Sequence, residues 1–164
     1  MAVDNWVSGY MDQLVAFRHD LHANPELLYE LPRTSAEVAK ALRAAGCDEV
    51  VEGIGKTGVV AVIHGKSNMS GRAIGLRSDM DALPILEATG KPWASKTPGK
   101  MHACGHDGHT TMLLGAAIGL AQSRAFDGKA VLIFQPAEEG GAGARAMIED
   151  GLFKRWPVNE VYGM

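Results

Sequence analysis

Apolar residues recur at helical spacing through the first part of the chain. Trp6, Tyr10, Leu14, Phe17 and Leu21 follow one another three or four apart, with Val7, Met11 and Val15 beside them. This predicts a helix from Asp4 to about Ala23, capped by Asp4 and closed before Pro25. A second helix is expected to begin near Thr34, where Thr34 and Glu37 have capping-box spacing. Val38 and Leu42 give its apolar stripe, and Gly46 suits its C-terminal cap. The period then changes. Gly58 to His64 is short, rich in β-branched residues and bounded by glycine, so it reads as a strand. Arg72 to Ser78 reads as a weaker one.

From Asp79 to Gly108 neither period holds, and Pro84, Gly90, Pro92, Pro98 and Gly99 punctuate the segment. A long ordered loop inside a compact domain is usually functional. A third helix is expected from about Thr110 to Arg124, apolar around most of its surface and therefore buried. Lys129 to Gln135 contains the run Val131-Leu132-Ile133-Phe134, which fits a central strand covered on both faces. Gly143 to Asp150 is a short helix ended by Gly151, and Asn159 to Gly163 is a last strand. Strands alternating with helices imply an α/β layer structure with a largely parallel sheet.

Composition narrows the classes. A chain of 164 residues fits one ordinary domain. The longest apolar stretch, Leu113 to Ala121, is too short to span a bilayer. No basic start followed by an apolar block marks a signal peptide, so a cytoplasmic protein without a membrane partner is expected. A net charge of −3 with scattered Lys and Arg gives no reason to expect a nucleic-acid partner. Cys47 and Cys104 lie in unlike contexts and read as free thiols.

Three segments carry candidate chemistry. His102-Ala103-Cys104-Gly105-His106-Asp107-Gly108-His109 packs one thiol, three imidazoles and a carboxylate around two glycines. Thiolate and imidazole are the donors that borderline metals such as zinc prefer. A polar loop capping the next helix is the plainer alternative. Gln135-Pro136-Ala137-Glu138-Glu139-Gly140 directly follows the most apolar strand. Of two adjacent carboxylates on an irregular turn, one can bind a metal while the other holds the water. A solvated acidic turn is the plainer alternative here. Arg77-Ser78-Asp79-Met80-Asp81-Ala82-Leu83-Pro84 also begins at a predicted strand end. Asp79 could orient a liganding imidazole, and Asp81 could bond the backbone of the turn. In α/β sheets sites gather beyond the carboxyl ends of strands, which favours one common site.

These segments resemble the aminoacylase and carboxypeptidase-like family of co-catalytic metallopeptidases, in its amidohydrolase branch of hippurate and auxin-conjugate hydrolases. The run Arg18-His19-Asp20-Leu21-His22-Ala23-Asn24-Pro25-Glu26-Leu27 resembles the branch's N-terminal signature. The resemblance implies a three-layer αβα sandwich with a largely parallel, mixed sheet. It implies that residues 1–164 are the N-terminal part of the catalytic domain, without the inserted dimerisation domain or the C-terminal part. It implies two divalent metal ions, Zn or Mn, with Cys104, His106 and Glu139 as ligands, Cys104 bridging. Glu138 would be the general base, Asp79 a catalytic or orienting residue, and His109 not a ligand. The substrate would be a small N-acyl or N-aroyl amino acid or a peptide-like amide, and the parent protein a homo-oligomer. In the branch, the strand matching Val158 to Gly163 leads to a further ligand His beyond Met164, and another lies much later. These 164 residues alone are therefore expected to bind metal weakly and to turn over no substrate. Two rival readings stay open. One makes Cys104 a nucleophile with His106 or His109 as base. The other is a truncated module that binds metal or a partner without catalysis.

Overall fold

The structure is a computed structural model, described here for residues 7–163. The predicted first helix is a 3₁₀ turn, Val7–Tyr10, running into α1, Met11–Ala23. Asp4 and Trp6 lie outside the described residues. Leu14 and Leu21 face inward, and Phe17 packs against the same core.

Helix α2, Pro32–Ala45, starts before Thr34. No Thr34–Glu37 capping box forms. Instead the Glu26 carboxylate accepts the backbone N–H groups of Arg33 at 3.2 Å and Thr34 at 2.7 Å. A carboxylate from the preceding turn thus satisfies the orphan donors, where it also meets the positive end of the helix. Pro32, in the first turn, has no N–H to lose there. Gly46 closes the helix at φ 87°, as its position predicts.

Five strands form one sheet: β1 Glu49–Ile54, β2 Gly58–His64, β3 Ala73–Asp79, β4 Lys129–Gln135 and β5 Glu160–Gly163, in the order β1-β2-β4-β3-β5. The sheet is mixed. β3 runs parallel to β4 and β5, while β2 runs antiparallel to β1 and β4. β1 carries no alternating signal, because Glu49, Glu52 and Gly53 interrupt it and its register shifts between Glu52 and Ile54.

The two central antiparallel strands divide their side chains cleanly. Val59, Ala61, Ile63, Leu132 and Phe134 meet α2 and α3 (His106–Ser123) on one face. Val60, Val62, Val131 and Ile133 meet Met147, Leu152 and Trp156 on the other. Met147 belongs to α4, Gly143–Glu149, and Leu152 to α5, Leu152–Arg155. Helices therefore cover both faces, giving the expected three layers, with α1 outside and against α3. Each fully buried Leu or Phe contributes about 1.5–3 kcal/mol. Among the described residues no helix is long and apolar enough to cross a membrane.

The sheet also fixes where a site can stand. β3 and β4 pair in parallel and end in register, Asp79 opposite Gln135. The segments that follow both strands leave at one edge, and α3 enters there with its N-terminus.

Candidate metal centre

Helix α3 begins at His106, four residues before the predicted start. The polar run hides the onset, because Gly105 at φ 99° turns the chain and His106 and Asp107 are buried on entry. The His106 imidazole is fixed by its Nδ1–H, which donates to the Asp81 carbonyl at 2.7 Å. That bond leaves Nε2 free in the neutral ring. Nε2 faces Asp79 Oδ1 at 3.6 Å, Glu138 Oε2 at 3.8 Å and Glu139 Oε1 at 3.8 Å.

Asp81 organises the glutamate turn as well. Its Oδ1 accepts the Glu138 N–H at 2.9 Å and its Oδ2 the Glu139 N–H at 3.1 Å. The turn is tightly folded, with Ala137 at φ 51° and Ala142 at φ 53°. A Cβ on Gly143 would stand 1.7 Å from the Pro136 carbonyl oxygen. Left-handed alanines cost about 1–2 kcal/mol each, and such strain collects where a geometry is over-determined by its surroundings.

The sequence-predicted residues converge. Cys104, His106 and Glu139 each offer a ligand atom, and these atoms lie within 4.8 Å of one another. Glu138 stands beside them with its side chain half-exposed. Asp79 is held from two sides: Arg77 donates to Oδ2 at 2.9 Å, and His109 Nδ1 donates to Oδ1 at 2.8 Å. It therefore orients His109, while the backbone of Asp81 orients His106. Asp79, His106 and His109 form a second grouping of ligand-type atoms. Since Asp79 and His109 already bond each other, it reads as a carboxylate–imidazole pair beside the first group.

The donor set fits a divalent ion. Glu139 Oε1 is buried without a hydrogen-bond partner and faces the free nitrogen of His106. Ligand atoms around a tetrahedral zinc stand roughly 3.4 Å apart, given bonds of about 2.0–2.2 Å. A gap of 3.8 Å needs only a small contraction.

Electrostatics point the same way. Partial burial and the charges of Glu139, Asp79 and Glu138 raise the Cys104 thiol above its ordinary value. A nucleophilic cysteine needs the opposite shift, whereas a cation among these groups would stabilise the thiolate. Burial alone would lower His106, but its bond to Asp81 and the Asp79 carboxylate outweigh that and raise it. Burial would raise Asp81, yet His106 and the N–H groups of Glu138 and Glu139 bring it below the usual carboxylate value. Cys47 and Cys104 are both free thiols.

Sequence reasoning missed one network. The Asp107 carboxylate is fully buried and accepts from His22 Nδ1 at 2.9 Å and Arg18 Nε at 3.2 Å. His22 Nε2 faces Glu87 Oε1 at 3.3 Å. His102 belongs to neither ligand group. It is buried, neither ring nitrogen has a partner, and burial pushes its pKa down to about 4. The glycine- and histidine-rich run was legible as a unit, but nothing local linked Asp107 to a residue 85 positions away.

A mixed α/β sheet that gathers thiol, imidazole and paired carboxylates at its strand ends has the donor set of a metal-dependent hydrolase, and similarity to known proteins defines the class. The chain belongs to peptidase family M20/M25/M40, whose model matches residues 75–164. It is 55% identical over 146 residues to a hippurate hydrolase of Campylobacter jejuni, covering 89% of this chain and 37% of that protein. It is 52% identical over 140 residues to an N-acetyl-L-cysteine deacetylase of Bacillus subtilis, covering 85% and 33%. A crystal structure from Bacillus subtilis, described as a dinuclear metal-binding peptidase of the M20 family, superposes with a TM-score of 0.88. It is 42% identical, over 96% of this chain and 43% of that one. The chain thus spans well under half the length of these relatives.

Proposed function

We propose that this chain is the N-terminal part of the catalytic domain of a metal-dependent amidohydrolase that cleaves N-acyl or N-aroyl amino acids. The observation that carries this reading is the approach of Cys104, His106 and Glu139 ligand atoms to within 4.8 Å, with Glu138 alongside. The names of the two curated relatives support the substrate class. Their greater length supports a second part of the protein that completes the ligand set.

Cys104, His106 and Glu139 would hold the ions, and zinc and manganese both suit this mixed S/N/O set. Such ions supply Lewis acidity, polarising the scissile carbonyl and making water more acidic. The other steps belong to the chain. Glu138 takes a proton from the attacking water as the new C–O bond forms. It then gives that proton to the leaving nitrogen as the C–N bond breaks, leaving a carboxylic acid and a free amino acid. Asp81 holds the backbone of Glu138 and Glu139 and, through its carbonyl, the His106 ring. One residue, through its carboxylate and its backbone carbonyl, thereby sets the mutual placement of base and ligands.

The test is hydrolysis of hippurate and N-acetylcysteine by the whole protein, with metal content measured on the same sample. Metal-dependent release of the amino acid, abolished by chelation and restored by zinc or manganese, is the expected result. Hydrolysis that survives complete metal removal, or purified protein that takes up neither metal, would overturn the proposal.

A further inference from the structure

The residues that hold the metal ligands in place extend further than the ligands' own neighbours. Cys104 sits at the end of a stretch from Met80 to Gly105 that contains no helix and no strand of the sheet. A ligand on such a stretch keeps its geometry only if the stretch is tied down. Near its ends, Leu83 and Met101 exchange two backbone hydrogen bonds of 3.0 Å each. In its middle the Lys96 N–H donates to the Ala23 carbonyl at 2.9 Å and the Trp93 ring stacks on His19, but the buried side-chain tie is Glu87. One oxygen accepts the Ser95 N–H at 2.6 Å and the other accepts from Thr89 and faces His22.

His22 stands on a third element, the last turn of α1. Its other nitrogen meets Asp107, the residue after His106. The three side chains are nearly closed to solvent, at 9% for His22, 4% for Glu87 and 0% for Asp107. His102 lies next to His22, ring centroids 6.3 Å apart, and makes no hydrogen bond that could replace this link.

We propose that His22 is a positioning residue for the metal centre, locking the segment that carries Cys104 to the helix that carries His106 through Glu87 and Asp107. This rests on the metal-site reading above. It goes beyond it, because His22 touches neither a ligand atom nor the reacting groups. A role confined to stability would lower the melting temperature and leave the affinity of the folded protein for metal intact. A positioning role changes that affinity in protein that is fully folded.

The experiment uses the whole protein stripped of metal and titrated with Co(II), well below the melting temperature of each apo variant. For His22→Leu the expected result is about tenfold weaker Co(II) binding, the lower end of what removal of a group behind a ligand costs. The thiolate-to-cobalt absorption should weaken with it. His22→Asn, whose amide can take the place of Nδ1 and still donate to Asp107, should recover most of both. Should His22→Leu fail to fold, Glu87→Gln is read in the same way and decides. Variants that bind Co(II) with wild-type affinity and spectrum, at a lowered apo melting temperature, overturn the positioning role alone. Wild-type protein that binds no Co(II) overturns the metal-site reading itself.

Discussion

His106 and Asp107 are neighbours in the first turn of α3 and stand in opposite settings. Around His106 the groups are acidic: three carboxylate oxygens lie 3.6–3.8 Å from Nε2, none of them bonded to it, and Glu139 Oε1 is buried without any hydrogen-bond partner. Around Asp107 the donors are close, with Arg18 and His22 both on one oxygen while the other oxygen is buried without a partner. Like charges gathered without a cation weaken a fold, whereas a buried carboxylate met by donors is costly to disturb. On the proposed function, the helix start separates a side whose ligand-type atoms could hold a cation from a side built to stay still. Substitutions on the two sides should fail in different ways.

The largest effect should fall on catalysis from the open side. Glu138→Gln in the whole protein removes the proton carrier and keeps the shape. Its kcat for an N-acyl amino acid should drop roughly a hundred- to ten-thousand-fold, about 3–5 kcal/mol in barrier. Metal content and melting temperature should hardly change. A kcat within a few-fold of wild type would remove Glu138 from the chemistry.

The closed side should answer in stability. Asp107→Ala leaves His22 beside Glu87 without its second partner and strips the helix start of a buried charge. Arg18 is half-exposed and only His22 stays buried, so the loss is that of a buried hydrogen-bonded group, about 1–3 kcal/mol, which denaturant unfolding of the apo protein measures directly. His106→Ala empties a fully buried position and loses the bond to Asp81 and the ring contact with His109, so it should cost the apo fold as well, but its larger effect should be on metal binding. If Asp107→Ala weakens metal binding in folded protein as much as His106→Ala does, the contrast between the two sides is wrong.

How much of this was legible depends on sequence distance. β2 and β4 could be read to the residue because a strand buried on both faces is a continuous apolar run with glycine or polar ends. The ligand candidates were legible because each motif is local: Cys104 and His106 on one turn, Glu138 and Glu139 on another. The α2 capping box failed because the competing cap, Glu26, lies before the helix and only the fold brings it there. β1 was silent because an edge strand need not alternate. The His22–Asp107–Glu87 network was illegible for the same reason as the Glu26 cap, across far longer separations. The carbonyl of Asp81 that aims His106 is a backbone group, on which no residue-type signal exists.

Protons give a sharper view of the open side. Both Cys104 and His106 hold their protons more tightly than usual in the apo protein, and both must lose them to bind a metal. Metal affinity should therefore rise with pH. The slope should be about one log unit per pH unit between the two pKa values and about two below that of His106. Cys104→Ser should reduce each slope by about one and lower the affinity. Because Cys104 is exposed, it should leave apo stability within about 0.5 kcal/mol. Apo stability at His106 should run the other way. Its folded pKa lies above the unfolded value of about 6.5, so its contribution is full below that pH and is lost as pH rises through the folded value. Metal affinity that does not change with pH across this range would show that these two groups are not the ligands.

The smallest effect tests whether the angle between the two ligands matters apart from stability. Gly105 lies between Cys104 and His106 at φ 99°, and Gly99 lies earlier in the same segment at φ 82°. A Cβ would meet nothing within 4 Å at either position. Gly105→Ala and Gly99→Ala should therefore cost the apo fold alike, about 1–2 kcal/mol each, through backbone conformation alone. Only Gly105→Ala relieves its strain by rotating one ligand against the other. It should weaken metal binding in the folded protein, while Gly99→Ala binds as wild type. Equal metal affinity in the two variants would mean that the turn between Cys104 and His106 is free to adapt, and that the ion itself sets the ligand geometry.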